Sequence, residues 1–128
     1  MRLEEGDMAP TILIAEDYDD NRELLRLLLA GANYEVREAR NGQECLELAW
    51  ENPPDLIMVD LSMPGLDGWE VFKALKGNAL TSHIPCVAVT AHTDRDRARA
   101  LQSGFSAFVG KPFKIEEMLR TVARLVAK

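Results

Sequence analysis

Five short apolar runs alternating with five helical stretches predict an α/β fold, a doubly wound five-stranded parallel sheet of (βα)5 type with helices on both faces. Three observations carry this expectation. Four of the runs are apolar without alternation, which is how strands covered on both faces of a parallel sheet read. The stretches between them place apolar residues three and four apart, the spacing of a helix with one buried stripe. Finally, polar residues with acid, hydroxyl or amine chemistry follow several of the apolar runs directly.

In chain order, Thr11–Ala15 (TILIA) is the first expected strand, and Leu24, Leu25, Leu28 and Leu29 form the stripe of the first helix. Tyr34–Glu38 (YEVRE) alternates and reads as an edge strand. Asn41, with Glu44 three residues on, caps the second helix, and Leu56–Val59 (LIMV) is the third strand. Asp67 and Glu70 repeat the capping pattern before a stripe of Val71, Phe72 and Leu75. Cys86–Val89 (CVAV) is the fourth strand, and Gly104 fits the left-handed position after a helix end. Ala107–Val109 (AFV) is the fifth strand, followed by a stripe of Ile115, Leu119, Val122 and Val126.

Composition agrees with a single domain. The chain has 128 residues, 47% hydrophobic and 28% charged. A core of that size holds itself together by roughly 5–15 kcal/mol without a disulfide or structural metal. Cys45 and Cys86 lie in apolar segments without metal-ligand spacing and read as buried thiols in a reducing compartment. His83 and His92 fall on different loops and are not expected to share a metal; Trp50 and Trp69 read as partly buried helix residues. Met1–Pro10 is acidic and lacks a secretory signal, and no stretch reaches the roughly 20 apolar residues of a membrane span, so a cytoplasmic protein is expected. Residues 1–9 are expected to be a flexible tail and 10–128 the folded domain.

Net charge is −6, which argues against general nucleic-acid binding. It is unevenly spread. Residues 1–93 hold 17 acidic and 7 basic side chains, net −10, whereas residues 94–128 hold 4 and 8, net +4.

The chemistry follows from what stands at the strand ends. The first strand runs into Glu16-Asp17, the third into Asp60, the fourth into Thr90, and the fifth into Gly110-Lys111-Pro112. In a parallel sheet these ends share one edge, where open α/β sheets bind ligands. Three carboxylates, a hydroxyl and an ammonium therefore converge. Like charges about 4 Å apart repel by roughly 4 kcal/mol at an effective dielectric near 20. Either the carboxyl pKa values rise or a cation binds, and an all-oxygen cluster with room for water suits Mg²⁺. Lys111 can then neutralise a phosphoryl oxygen and Thr90 can donate to another, as phosphoryl transfer requires. Singly, each residue has a structural explanation as a cap, a turn or β-branched filler; the ordered conjunction is the signal.

Over about residues 10–128 the chain resembles the receiver domains of two-component response regulators. The resemblance rests on Glu16-Asp17, Asp60 with Met63-Pro64-Gly65-Leu66-Asp67-Gly68, Thr90-Ala91, and Lys111-Pro112. It implies a flavodoxin-like strand order 2-1-3-4-5 and a switch that accepts a phosphoryl group from a phosphohistidine onto Asp60. It implies Mg²⁺ ligands Asp17, Asp60 and the backbone carbonyl of Ser62, with Glu16 acting through water. Lys111 would pair with the phosphoryl group, Thr90 would move toward it, and Phe108 stands at the switch-aromatic position. The Lys111–Pro112 peptide is expected to be cis. Glu16 replaces the Asp of many members, and Phe108 lacks the hydroxyl of the common Tyr.

The implied partners are a sensor histidine kinase or histidine phosphotransfer protein and a downstream protein. The downstream protein would meet the face formed by the fourth helix, fifth strand and fifth helix, where Arg95, Arg99, Lys114, Arg120 and Arg124 favour an acidic surface. No nucleic acid or membrane contact is expected, and the state is monomer or phosphorylation-dependent dimer. With no catalytic or DNA-binding segment before Lys128, output is expected through protein contact. The chain would catalyse only its own phosphoryl transfer and dephosphorylation. The alternative is a phosphorylation-independent interaction module on the same fold. Ser62 stands where an aspartyl-phosphate phosphatase carries its general acid, and the absence of a G-x-G-x-x-G or P-loop run excludes a nucleotide or flavin site.

Overall fold

Every connection in the sheet is a crossover, because neighbouring strands run parallel and need a helix to return the chain. The computed structural model describes residues 9–91 and 94–127. Its elements are β1 (Thr11–Ala15), α1 (Asp19–Gly31), β2 (Glu35–Ala39), α2 (Gly42–Glu51), β3 (Leu56–Asp60), α3 (Gly68–Lys76), β4 (Cys86–Thr90), α4 (Asp94–Ser103), β5 (Ala107–Gly110) and α5 (Ile115–Val126). Strand order is β2-β1-β3-β4-β5, all parallel, as the resemblance implied. The N-terminal tail up to Met8, and His92, lie outside the described residues.

Side chains alternate across the strands into two cores. Leu13 and Ala15 of β1, Ile57 and Val59 of β3, and Cys86 and Ala88 of β4 pack with Cys45, Leu46, Val71 and Leu75 of α2 and α3. Ile12, Ile14, Met58, Val87 and Val89 take the opposite face with Leu25 and Leu29 of α1 and Met118, Val122 and Leu125 of α5. Burial on both sides explains why β1, β3 and β4 read as unbroken apolar runs.

Four expectations need correction. The second strand begins one residue later than Tyr34 and ends at Ala39. The fifth strand is an edge strand and not covered on both faces: Phe108 is half-buried and Gly110 exposed, because β5 has a neighbour on one side only. The stripe of α5 is rotated. Met118, Val122 and Leu125 are buried, Leu119 and Val126 are half-buried, and Ile115 is 49% exposed. In α1 the buried pair is Leu25 and Leu29, while Leu24 faces solvent. Spacing alone finds a stripe but not the angle at which the helix meets the sheet.

The helix caps agree with expectation. Asn41 accepts the Glu44 amide at 2.8 Å, and Asp67 and Glu70 form a reciprocal capping box at 2.9 Å each way. Gly104 has φ +112°, the left-handed conformation that ends α4. Gly68 is fixed by space: a Cβ there would lie 2.5 Å from the carbonyl oxygen of Asp60 and 2.6 Å from the Cα of Leu61. The start of α3 therefore rests directly on the backbone of Asp60.

Both cysteines are buried and unpaired. Burial, with the nearby Cys86, pushes the Cys45 thiol up to about 12, and burial pushes Cys86 up to about 11. The folded protein should resist thiol alkylation at pH 8 and take two labels once denatured, which mass spectrometry reads directly. Gly68→Ala should destabilise by about 1–3 kcal/mol in urea unfolding, since the backbone of Asp60 must shift to admit the methyl group.

Candidate functional site

Because all five strands end on one edge, Glu16, Asp17, Asp60, Thr90 and Lys111 arrive there from β1, β3, β4 and β5. One oxygen each from Glu16, Asp17 and Asp60 lies within 4.8 Å of the others, and this is the potential cation cluster among the described residues. Glu16 and Asp60 are buried, at 1% and 3% exposure, and Asp17 faces solvent. The Nζ of Lys111 stands 2.9 Å from Glu16 Oε1 and 2.9 Å from Asp60 Oδ2. The other Asp60 oxygen accepts the Ser62 amide at 2.9 Å, and Glu16 Oε2 accepts the Tyr18 amide at 3.1 Å.

Lys111 reaches this position through the sheet. Thr90 pairs with Gly110, and the Lys111 amide donates to the Thr90 carbonyl at 3.0 Å. The Lys111–Pro112 peptide is cis, as expected.

Electrostatics follow from burial. The Glu16 carboxyl is held above the usual glutamate range, first by burial; the Lys111 ammonium and the Tyr18 amide oppose this, and the Asp60 charge adds to it. For Lys111, burial lowers the pKa. Close contact with the Glu16 and Asp60 carboxylates, and their charges, outweigh that and hold it above the ordinary lysine value.

Only the contact with Asp60 has hydrogen-bond geometry at Lys111, so Glu16 Oε1 is a buried oxygen without a properly directed donor. An under-satisfied carboxylate oxygen beside two further acid oxygens is the donor set of a hard divalent cation, so these residues fit Mg²⁺.

Thr90 closes β4 at 1% exposure. With Leu61, Ser62, Asp67, Trp69 and Asp96 it lines a cleft of about 300 Å³ beside the carboxylates. Trp69 is thus close enough to the site to report on it, and its ring carries the Arg99 guanidinium 4.0 Å above it. Arg99, expected on the face of the fourth helix, fifth strand and fifth helix, thus leans toward α3. Phe108 is half-buried on β5 and borders a groove of about 380 Å³ between α4 and α5, lined also by Arg97, Lys114, Glu117 and Met118.

Sequence reasoning passed over two residues. Gly68 was read as part of a motif and not as a contact of the Asp60 backbone. Arg22 was not singled out, although one cation among Asp17, Asp19, Asp20 and Glu23 was a visible signal.

Comparison with known proteins gives a consistent answer. The response regulator receiver domain family matches residues 12–123. The polar-differentiation response regulator DivK of Brucella anthropi is 39% identical over 116 residues, covering 90% of this chain and 94% of that protein. The receiver domain of a signal transduction histidine kinase from Syntrophus aciditrophicus is 35% identical, with TM-score 0.85, over 93% of this chain and 91% of that one. The receiver domain of a sensor histidine kinase from Pseudomonas aeruginosa, with a magnesium ion coordinated in its active-site cleft, is 27% identical. It superposes with TM-score 0.86 over 94% of this chain and 99% of that one.

The raised pKa of Glu16 makes a pH-dependent prediction. Burial disfavours the ionised form, so its stabilising contribution is present below the unfolded value near 4.5 and is lost as pH rises through the folded value. Glu16→Gln should therefore be more stable than wild type in metal-free buffer at pH 7. The gap should close as pH falls to 4.5, measured by urea unfolding across that range.

Proposed function

The chain belongs to the response regulator receiver domain family, whose members signal through phosphorylation, and on that premise we propose that Asp60 is its phospho-acceptor. The supporting observation is the environment of that side chain. It is the buried carboxylate at the end of the central strand β3, clamped by Lys111 and the Ser62 amide, with Glu16 and Asp17 oxygens within 4.8 Å.

An Asp60 oxygen attacks phosphorus of a phosphohistidine; the P–N bond breaks as the O–P bond forms, and the imidazole leaves with the donor protein. Asp17, Asp60 and the Ser62 carbonyl, with Glu16 through water, would hold Mg²⁺, which supplies charge neutralisation to the phosphoryl oxygens. Lys111 stays beside Asp60 and turns its ammonium to a phosphoryl oxygen. Thr90 donates its hydroxyl to another, and Phe108 repacks into the space so vacated. The chain performs its own phosphoryl transfer and dephosphorylation and turns over no separate substrate.

The donor is a histidine kinase or histidine phosphotransfer protein, and the output is protein binding at the α4–β5–α5 face. The groove there, bordered by Phe108 and flanked by Arg97 and Lys114, supports this assignment. Among the described residues no helix is long and apolar enough to cross a membrane, which fits a cytoplasmic switch.

Acetyl phosphate, with and without Mg²⁺, tests the chemistry. Wild type should gain one phosphoryl group in intact mass only with Mg²⁺, and Asp60→Asn should gain none. Absence of incorporation from both acetyl phosphate and a panel of phosphohistidine donors would leave the phosphorylation-independent interaction module as the reading.

A further inference from the structure

We propose that Arg22 is a positioning residue for the acidic pair Glu16-Asp17, fixing the turn between β1 and α1 in the arrangement that admits a divalent cation. The inference rests on the reading of Glu16, Asp17 and Asp60 as the Mg²⁺ site.

Arg22 is out of place by helix electrostatics. It stands in the first turn of α1, where the helix dipole favours anions and disfavours cations. Its side chain is nonetheless only 12% exposed, well below what is usual for arginine. The guanidinium turns back toward the sheet edge and makes three contacts. Nη1 donates to the Glu16 carbonyl at 3.0 Å, Nη2 meets Asp19 Oδ1 at 2.5 Å, and Nε lies 3.4 Å from Glu38 Oε1 near the end of β2. One planar group thereby ties the start of α1, the end of β2 and the backbone of Glu16.

Glu16 needs this. It lies one residue beyond β1, with its amide donating to Ala39 at 3.1 Å and its carbonyl held by Arg22. Its arm has one more rotatable bond than an aspartate at the same place. Where its carboxylate sits therefore depends more strongly on how firmly the backbone is fixed. With amide and carbonyl both tied, and Oε2 on the Tyr18 amide, the arm is left to place the carboxylate at the cluster.

A rival explanation, that Arg22 merely adds charge, predicts the opposite sign. A cation near the carboxylates weakens their hold on Mg²⁺, so its removal should tighten binding. Positioning predicts that losing the fork weakens binding even when the charge is kept, because an ammonium cannot span the three acceptors as a guanidinium does.

The experiment is calorimetric titration of MgCl₂ into the full chain as wild type, Arg22→Lys and Arg22→Gln, with acetyl phosphate incorporation followed in parallel. Arg22→Lys should bind Mg²⁺ about tenfold more weakly, in the range of other groups that orient metal ligands. Its incorporation rate should return to the wild-type value at saturating Mg²⁺. Arg22→Gln should also bind more weakly despite losing a cation, and either variant decides the matter if the other fails to fold. Unchanged or tighter binding in the variants overturns the proposal, as does a rate that stays low at saturating Mg²⁺. Absence of Mg²⁺ binding by wild type would instead overturn the reading of the acid cluster, and this proposal with it.

Discussion

The ammonium of Lys111, 2.9 Å from both Glu16 and Asp60, is the interaction around which the functional end of the molecule is organised. Two buried carboxylates and a third beside them cannot share a crevice without a counter-charge, and removing one partner of a buried pair leaves the others uncompensated. Lys111 is delivered by β5, at the far edge from β2, whereas Glu16 comes from β1 and Asp60 from β3. The register of β4 on β3 and of β5 on β4 therefore sets whether this cation meets these anions. The same group thus neutralises both buried acids of the resting cluster.

Packing distributes rigidity unevenly around that crevice. On one face α1 and α5 bury leucines, valines and methionine against the sheet; on the other, α2 and α3 each bury several residues. Helix α4 buries Ala100 alone. Another hold on the body is the Arg99 guanidinium over Trp69, whose ring meets Phe105 edge-on at 5.9 Å. Elements with little buried apolar surface open first. This helix follows closely after Thr90 and flanks Phe108.

The opposite arrangement holds at the start of α3. Gly68 sits on the Asp60 backbone, and the capping box of Asp67 and Glu70 fixes the helix entry. One side of Asp60 is thus closely packed against α3, while α4 on the other side buries little.

Much of this was legible in the residues alone. Unbroken apolar runs identified β1, β3 and β4 because strands covered on both faces need no polar alternation. Asn41 and Asp67 announced their helices because capping is a local hydrogen bond between residues three apart. The acids, hydroxyl and amine at the strand ends announced the crevice, because parallel strands share an edge whatever their order. Three-dimensional packing decided the rest. The rotation of α5 that buries Met118 and exposes Ile115 depends on where the helix lands on the sheet, and the exposure along β5 depends on its having a single neighbour. The fork of Arg22 joins groups from β1, α1 and β2 that are separated by up to 22 positions in the chain, and the Arg99–Trp69 stack joins two helices. Local chemistry is written in adjacent residues; the contacts that orient it are made between distant ones, and only the folded chain brings those together.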